Sequence, residues 1–265
     1  MSDFRSFLEK VFYSERAIGL SSIYFPSLRA DDLNRFFIQE IAGRDSIAAF
    51  YKYITEHPKK HDGVILSVAM APTEYGNLDY LVKSVETAVN IAKSNALEVV
   101  FSASKDIHLW KKLVGKNVLR HSLKYGFFTP CILCHLYFHM LRAFIAIDVG
   151  ASPIVSGERA LHGRKTKLNQ THEAVSAFER VFLEAGIEIV FPVIDVSSES
   201  ELMELLPRRW EEGKEQLSCI FSGSSTVEGE ADIKLIEGNY TKFLEEVAVP
   251  LGSEVIFSYK QNRTY

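Results

Sequence analysis

The feature that most limits how this chain can fold is an alternation. Between residues 36 and 193, short apolar runs take turns with longer segments whose apolar residues recur at three- and four-residue steps. The runs 36–42 (FFIQEIA), 63–71 (GVILSVAMA), 97–103 (LEVVFSA), 153–156 (PIVS) and 187–193 (IEIVFPV) read as strands. Segments 46–57, 77–94, about 105–114, 131–150 and 172–185 read as helices. Strand–helix alternation predicts an α/β fold: a mainly parallel five-stranded sheet with helices on both faces. Residues 1–33 read as a helical lead-in, 34–197 as the core domain, and 198–265 as a C-terminal extension with a Gly/Ser-rich patch at 222–229.

Right-handed crossovers place all strand-to-helix loops of such a sheet on one edge, where ligands bind at the carboxyl ends of the strands. The loops to examine are therefore 43–46, 71–76, 104–106 and 157–170. Composition narrows what a site there can meet. A net charge of -4 gives no general attraction to nucleic acid or to an anionic membrane, though it is compatible with a local basic patch. Three cysteines are not a disulfide framework and suit a reducing compartment, so a cytoplasmic location is expected. The first residues mix charges with apolar residues, unlike a signal peptide. The most apolar stretch, 131–149, carries His135, His139, Arg142 and Asp148 and reads as a buried core helix, so no membrane partner is expected.

Ile41-Ala42-Gly43-Arg44-Asp45-Ser46 sits where the first strand meets the first core helix. Backbone N–H groups at a helix N-terminus, together with the helix dipole, favour a phosphate. Small residues let the backbone approach the anion. Ser46 can cap the helix or donate to a phosphate oxygen, and Arg44 adds a cation with fork geometry. Asp45 or Ser46 acting only as a helix cap explains the same residues.

The stretch resembles the PP-loop signature Ser-Gly-Gly-x-Asp-Ser of the ATP pyrophosphatases, the adenine nucleotide alpha-hydrolase group. Gly43, Arg44, Asp45 and Ser46 match its last four positions, while Ile41 and Ala42 replace the first Ser and Gly. The resemblance spans roughly residues 35–195 and includes a cysteine-bearing helix followed by a strand that ends at Gly157. It implies ATP and magnesium as cofactors, a loop of Ala42 to Ser46 around the pyrophosphate, Arg44, Asp45 and Ser46 in the chemistry, and Gly157 beside the nucleotide. Members of this group adenylate a substrate oxygen, release pyrophosphate, and let a nitrogen or sulfur nucleophile displace AMP. The tRNA 2-thiolation enzymes and the 7-cyano-7-deazaguanine synthase-like group are the branches nearest by cysteine pattern. A small-molecule substrate, base-like or a carboxylate, or tRNA, and a homodimeric assembly, are consistent with the resemblance. The changed loop start also admits a homologue that binds nucleotide without turnover, as a sensor or partner subunit.

Cys131-Ile132-Leu133-Cys134 places two thiols one helical turn apart. Two buried thiols packed as small hydrophobes account for this spacing, as does a shared zinc with His135 as a further ligand. In the tRNA 2-thiolation branch a Pro-Cys-x-x-Cys pair and a third cysteine 85 to 90 residues later hold a [4Fe–4S] cluster, and Cys131, Cys134 and Cys219 resemble that arrangement. A metal- or cluster-binding protein without nucleotide is thus a third reading.

Residues 156–170 (SGERALHGRKTKLNQ) follow the fourth strand with unusual polar density. Glu158, Arg159, His162 and Lys165 are candidate substrate contacts, with Arg164, Lys167, Asn169 and Gln170 beside them; a solvated loop is the alternative. His139 reads as a core histidine. Arg208 and Arg209 before Trp210 read as a surface cluster, or as groups that stack a base or bind phosphate.

Overall fold

The computed structural model of the chain describes residues 2–17, 23–24, 30–162, 165–210, 215–224, 226–228 and 230–262. Of the sequence candidates, Arg164, and Ser225 and Gly229 of the Gly/Ser-rich patch, lie outside the described residues. The N-terminal segment opens with helix α1 (Ser2–Tyr13), whose Phe4, Leu8 and Val11 form a buried stripe at helical spacing. Two short strands follow, β1 (Arg16–Ala17) and β2 (Ile23–Tyr24). The core then runs β3 (Phe36–Glu40), α2 (Arg44–Glu56), β4 (Gly63–Ala69), β5 (Glu74–Tyr75), α3 (Asp79–Ser94) and β6 (Glu98–Asp106). Three helices come next: α4 (Ile107–Leu113), α5 (Val118–Tyr125) and α6 (Pro130–Val149). They lead to β7 (Ile154–Val155), β8 (Leu161–His162), β9 (Lys165–Lys167), α7 (His172–Glu184) and β10 (Ile189–Val190). The C-terminal part holds α8 (Glu199–Glu204), β11 (Ser218–Cys219), β12 (Thr226–Glu228), α9 (Glu230–Phe243), a π-helical turn (Leu244–Ala248) and α10 (Val249–Gln261).

Each of the five expected strands is present, and all five are parallel, in the order β6-β4-β3-β7-β10. The sheet has seven strands rather than five, because β1 and β2 add antiparallel to β6. These two-residue strands carry no periodicity to read, so the lead-in is not helical throughout. Side chains alternate across the sheet as the pleat requires. Phe36 and Ile38 enter a core built with α6, α7 and α10, whereas Phe37 and Ile41 enter one built with α1, α2 and α3.

Helix α6 is apolar nearly all round because it is buried nearly all round. Among the described residues it is the helix long and apolar enough to cross a membrane, and 78% of its most apolar stretch is buried inside the fold. Pro130 occupies its first turn, and Gly150 ends it at φ 73°, a left-handed conformation natural to glycine. From the C-terminal part, Tyr240, Phe243, Leu244, Val255 and Ile256 join the α6-side core.

From β3 the chain first winds to β4 and β6, then returns to β7 and β10 on the other side. The direction therefore reverses between β3 and β7. A crevice opens at such a switch point, beyond the carboxyl ends of the strands. Here those ends are Glu40 to Ser46 and Ser156 to Glu158.

Candidate functional site

Both strand ends are shaped by polar side chains within the apolar sheet. Gln39 is fully buried, and its Nε2 donates to the carbonyls of Glu40 (2.8 Å) and Ser46 (2.9 Å), pinning the start of α2 to β3. Ser46 folds back on its own loop: its hydroxyl donates to the Gly43 carbonyl at 2.7 Å and accepts from the backbone N–H of Ala42 (3.1 Å) and Gly43 (3.2 Å). That is the back-reaching half of a capping box. Asp45 receives Arg44 Nε at 3.3 Å and lies 3.5 Å from Arg159 Nε. Arg44 also pairs with Glu199 of α8.

Gly157 is where the two strand ends meet. A Cβ on this residue would lie 2.4 Å from Ser46 N and 2.5 Å from Ser46 Cα. Only a residue without a side chain lets the end of β7 press on the first turn of α2.

The α6 side of the crevice holds a buried network. His135, His139 and Arg142 share one stripe of α6, at i, i+4 and i+7. Arg142 Nη2 lies 3.1 Å from Glu40 Oε1, while Glu40 Oε2 accepts from the Ser156 hydroxyl and from Gly157 N (2.8 Å). Burial pushes the Glu40 carboxyl up, but Arg142, with His139 and the Ser156 hydroxyl, holds it below the usual carboxylate range. Glu158 Oε1 accepts from His135 Nδ1 (2.7 Å) and His139 Nε2 (3.2 Å). Burial opposes ionisation of Glu158, yet the two histidines hold it well below its ordinary value. Burial lowers His135 in turn, and the Glu158 carboxylate more than restores it. His135 Nε2 meets Asn169 at 2.7 Å.

Of these, Glu40, His135, Arg142, Gly157, Glu158 and Asn169 line one cavity of about 360 Å³, within the size range of small-molecule sites. Ala42 to Ser46 and Gly157 form one end of it; Cys131, Cys134 and Cys219 line it too. Cys219 reaches it because β11 pairs antiparallel with β5, in the loop after β4, with Cys219 opposite Glu74. The same segment roofs the loop at Gly43, where Gln216 Oε1 would stand 3.1 Å from a Cβ. Cys131 Sγ contacts Phe221 O (3.8 Å), and Phe221 N contacts Cys219 Sγ (3.4 Å). Those two contacts bound the sulfurs to within roughly 11 Å of each other, given backbone dimensions. All three cysteines are free thiols. Among the described residues, no three His, Cys, Asp or Glu side chains stand in a metal-holding group. His135 has both ring nitrogens engaged and is not placed as a fourth ligand. Burial pushes the Cys134 thiol well up. Glu74 accepts from Ala71 N at 2.6 Å, and burial pushes its carboxyl up to about 7.

The substrate candidates separate in space. Glu158 and His162 face the cavity, with Lys167, Asn169 and Gln170. Burial, with Lys167 and Arg159, lowers His162, whose Nε2 meets Gln170 at 2.7 Å. Arg159 is instead a fully buried brace between Asp45 and His162, and Lys165 is exposed on β9. Arg208 stacks 3.8 Å over Trp210 and pairs with Glu215 at 2.7 Å, so it serves the fold rather than offering a platform. Sequence reasoning passed over Gln39, Glu40 and Glu74 and gave Arg142 no role. A Gln-Glu pair inside an apolar strand, and an arginine within an apolar helix, were the available signals, since buried polar groups demand partners.

No family model matches the chain. Two solved structures are similar at low identity. A crystal structure of a 4-thiouridine synthetase–RNA complex with bound ATP gives a TM-score of 0.49 at 16% identity, covering 84% of this chain and 53% of that one, about half its length. The U34-tRNA thiolase NcsA from Methanococcus maripaludis, with its [4Fe-4S] cluster, gives 0.37 at 13% identity, covering 98% and 77%. Over 239 residues the chain is 30% identical to "Uncharacterized protein MJ0009" of Methanocaldococcus jannaschii, covering 88% of this chain and 84% of that one. With that identity sustained over most of both chains, this protein belongs to the family of the M. jannaschii protein.

Proposed function

We propose that the chain binds ATP at the N-terminus of α2 and uses it to adenylate an oxygen of an acceptor held on the α6 side of the cavity. The observation that carries this reading is the contact of Gly157 with the backbone of Asp45 and Ser46, at the edge of a cavity placed on the topological switch point. The helix dipole offers roughly half a positive charge there, while the charge of Arg44 is offset by Asp45 and Glu199.

In the first step the acceptor oxygen bonds to the α-phosphorus, the bond to the β-phosphate oxygen breaks, and pyrophosphate leaves. In the second, a nitrogen or sulfur nucleophile bonds to the activated carbon and AMP departs with the electron pair. The loop residues bind and orient the phosphates, and the roof at 215–219 limits water at the reacting end. A base-like acceptor, free or within tRNA, suits this reading. The nearby carboxylates do not fit a magnesium site: Glu40 is engaged by Arg142, Ser156 and Gly157, and Asp45 by Arg44 and Arg159.

Cys131, Cys134 and Cys219 are the donors proposed for a [4Fe–4S] cluster, which would supply an iron open to sulfide. Thiols suit such a cluster chemically. All three line one cavity, and among the described residues they do not stand as a metal-holding group. Zinc with His135 does not fit, because both ring nitrogens of His135 are engaged.

One observation favours nucleotide binding without turnover. The Ser46 hydroxyl proton is given to the Gly43 carbonyl at 2.7 Å, so it is not offered to a phosphate oxygen. Calorimetry with a non-hydrolysable ATP analogue tests the shared part of both readings. Asp45→Lys is expected to weaken binding by roughly tenfold or more, since it alters the loop and its charge balance. Equal affinity in both proteins, or no binding to either, defeats the proposal, and pyrophosphate release separates turnover from binding alone.

A further inference from the structure

The loop at Ala42 to Ser46 has spent part of its own donor capacity. The N–H groups of Ala42 and Gly43 both donate to the Ser46 hydroxyl, and the Arg44 guanidinium is engaged by Asp45 and Glu199. A polyanion at this end of the cavity gains from donors outside the loop. The C-terminal part brings one there. Chain neighbours apart, the atoms within 4 Å of a Cβ at Gly43 are Oε1 (3.1 Å) and Cβ (3.5 Å) of Gln216. Gln216 lines the same cavity and is exposed, and among the described residues its amide has no hydrogen-bond partner. A half-turn of the amide puts Nε2, with two N–H donors, where Oε1 stands. The backbone on either side is anchored. Glu215 is tied to Arg208 at 2.7 Å, and Leu217 packs against the core on the α2 and α3 side. Ser218 and Cys219 pair with Tyr75 and Glu74 of β5, and Ile220 N donates to Thr73 O at 3.1 Å. A fixed backbone thus carries an uncommitted amide directly over the loop.

We propose that Gln216 is a phosphate-binding residue, whose side-chain amide donates from the C-terminal part to phosphate oxygens held at the N-terminus of α2. The proposal rests on the nucleotide reading above and adds to it a donor from outside the loop. The side chain is exposed and has three rotatable bonds, so it can swing off Gly43 to admit the phosphates and then close on them. Its contribution is neutral: it offers hydrogen bonds to the anion without a charge of its own.

The test is calorimetric titration of wild type, Gln216→Ala, Gln216→Glu and Gln216→Lys with two probes, a non-hydrolysable ATP analogue and inorganic pyrophosphate. Gln216→Ala should weaken both probes about tenfold, the worth of one net hydrogen bond to a charged group. Gln216→Glu should weaken them further, because a carboxylate then faces the phosphates. Gln216→Lys should bind both at least as tightly as wild type, since an ammonium donates from the same place. A residue that only props the roof would not follow this order of charge and donor capacity. Gln216→Ala equal to wild type overturns the proposal, even if Gln216→Glu binds weakly, because charge at a distance then explains the loss. Gln216→Lys as weak as Gln216→Ala overturns it by assigning the loss to a displaced roof. In either case binding of the analogue to wild type spares the nucleotide reading. Pyrophosphate binding without the analogue overturns the nucleotide reading alone, and the order of the variants on pyrophosphate still decides Gln216. Binding of neither probe to wild type overturns both.

Discussion

Gly157→Ala is the sharpest perturbation the site allows. Glycine is not needed there for its backbone angles, since φ at this residue is outside the left-handed region. It is needed for space. The added methyl would stand 2.4 Å from Ser46 N, 2.5 Å from Ser46 Cα and 2.7 Å from Asp45 C, against an ordinary contact of 3.4 Å or more. The neighbours are all backbone, so no side chain can rotate away. Relief requires the end of β7 and the first turn of α2 to separate by about 1 Å, which overpacking studies put at about 1–3 kcal/mol or more. The upper end is expected, because the shift also strains the Gly157 N–H bond to Glu40 and the Gln39 bond to Ser46 O. Urea unfolding should show a lower midpoint at unchanged slope. Affinity for a non-hydrolysable ATP analogue should fall by roughly tenfold or more, as the loop is displaced by a distance that matters to fit. Gly238→Ala serves as the control: nothing lies within 4 Å of its Cβ position in α9, so it should be neutral or stabilising by up to about 1 kcal/mol. If Gly157→Ala matches wild type in both stability and nucleotide affinity, the close approach is not what builds the site.

Two further outcomes follow from the same geometry. Arg159→Ala removes a fully buried brace and one of two cations on Asp45, and should cost about 2–4 kcal/mol in urea unfolding; Lys165→Ala, on exposed β9, should stay within about 0.5 kcal/mol. A neutral Arg159→Ala would show that the brace is dispensable. Anaerobic purification followed by iron analysis tests the thiols: a brown protein whose iron disappears in Cys134→Ser is expected, and an iron-free wild type returns the three cysteines to packing.

Much of the architecture was legible because it rests on period and polarity. Strand runs between amphipathic segments give a parallel α/β sheet wherever both faces must be covered, and all five runs became neighbouring parallel strands. The position of the loop at 41–46 was legible for the same reason, as a small-residue turn between β3 and α2, but its use was not, since a plain helix cap explains the same residues. Strands β1 and β2 were not, since two residues carry no period and exist only because β6 offers an edge.

What the sequence by itself determined is local: which segments are strands and helices, where the loop edge lies, and which residue types are available there. What tertiary structure alone decided is pairing across distance. Glu40 and Arg142 lie 102 positions apart in the chain and 3.1 Å apart in space. Arg159, expected at the substrate, turns behind the loop toward Asp45, while Cys219 arrives opposite Glu74 through the β5–β11 pair. The physical reason is desolvation. A buried charge must find a partner, but no periodicity in the chain says which of several carboxylates will be brought to it.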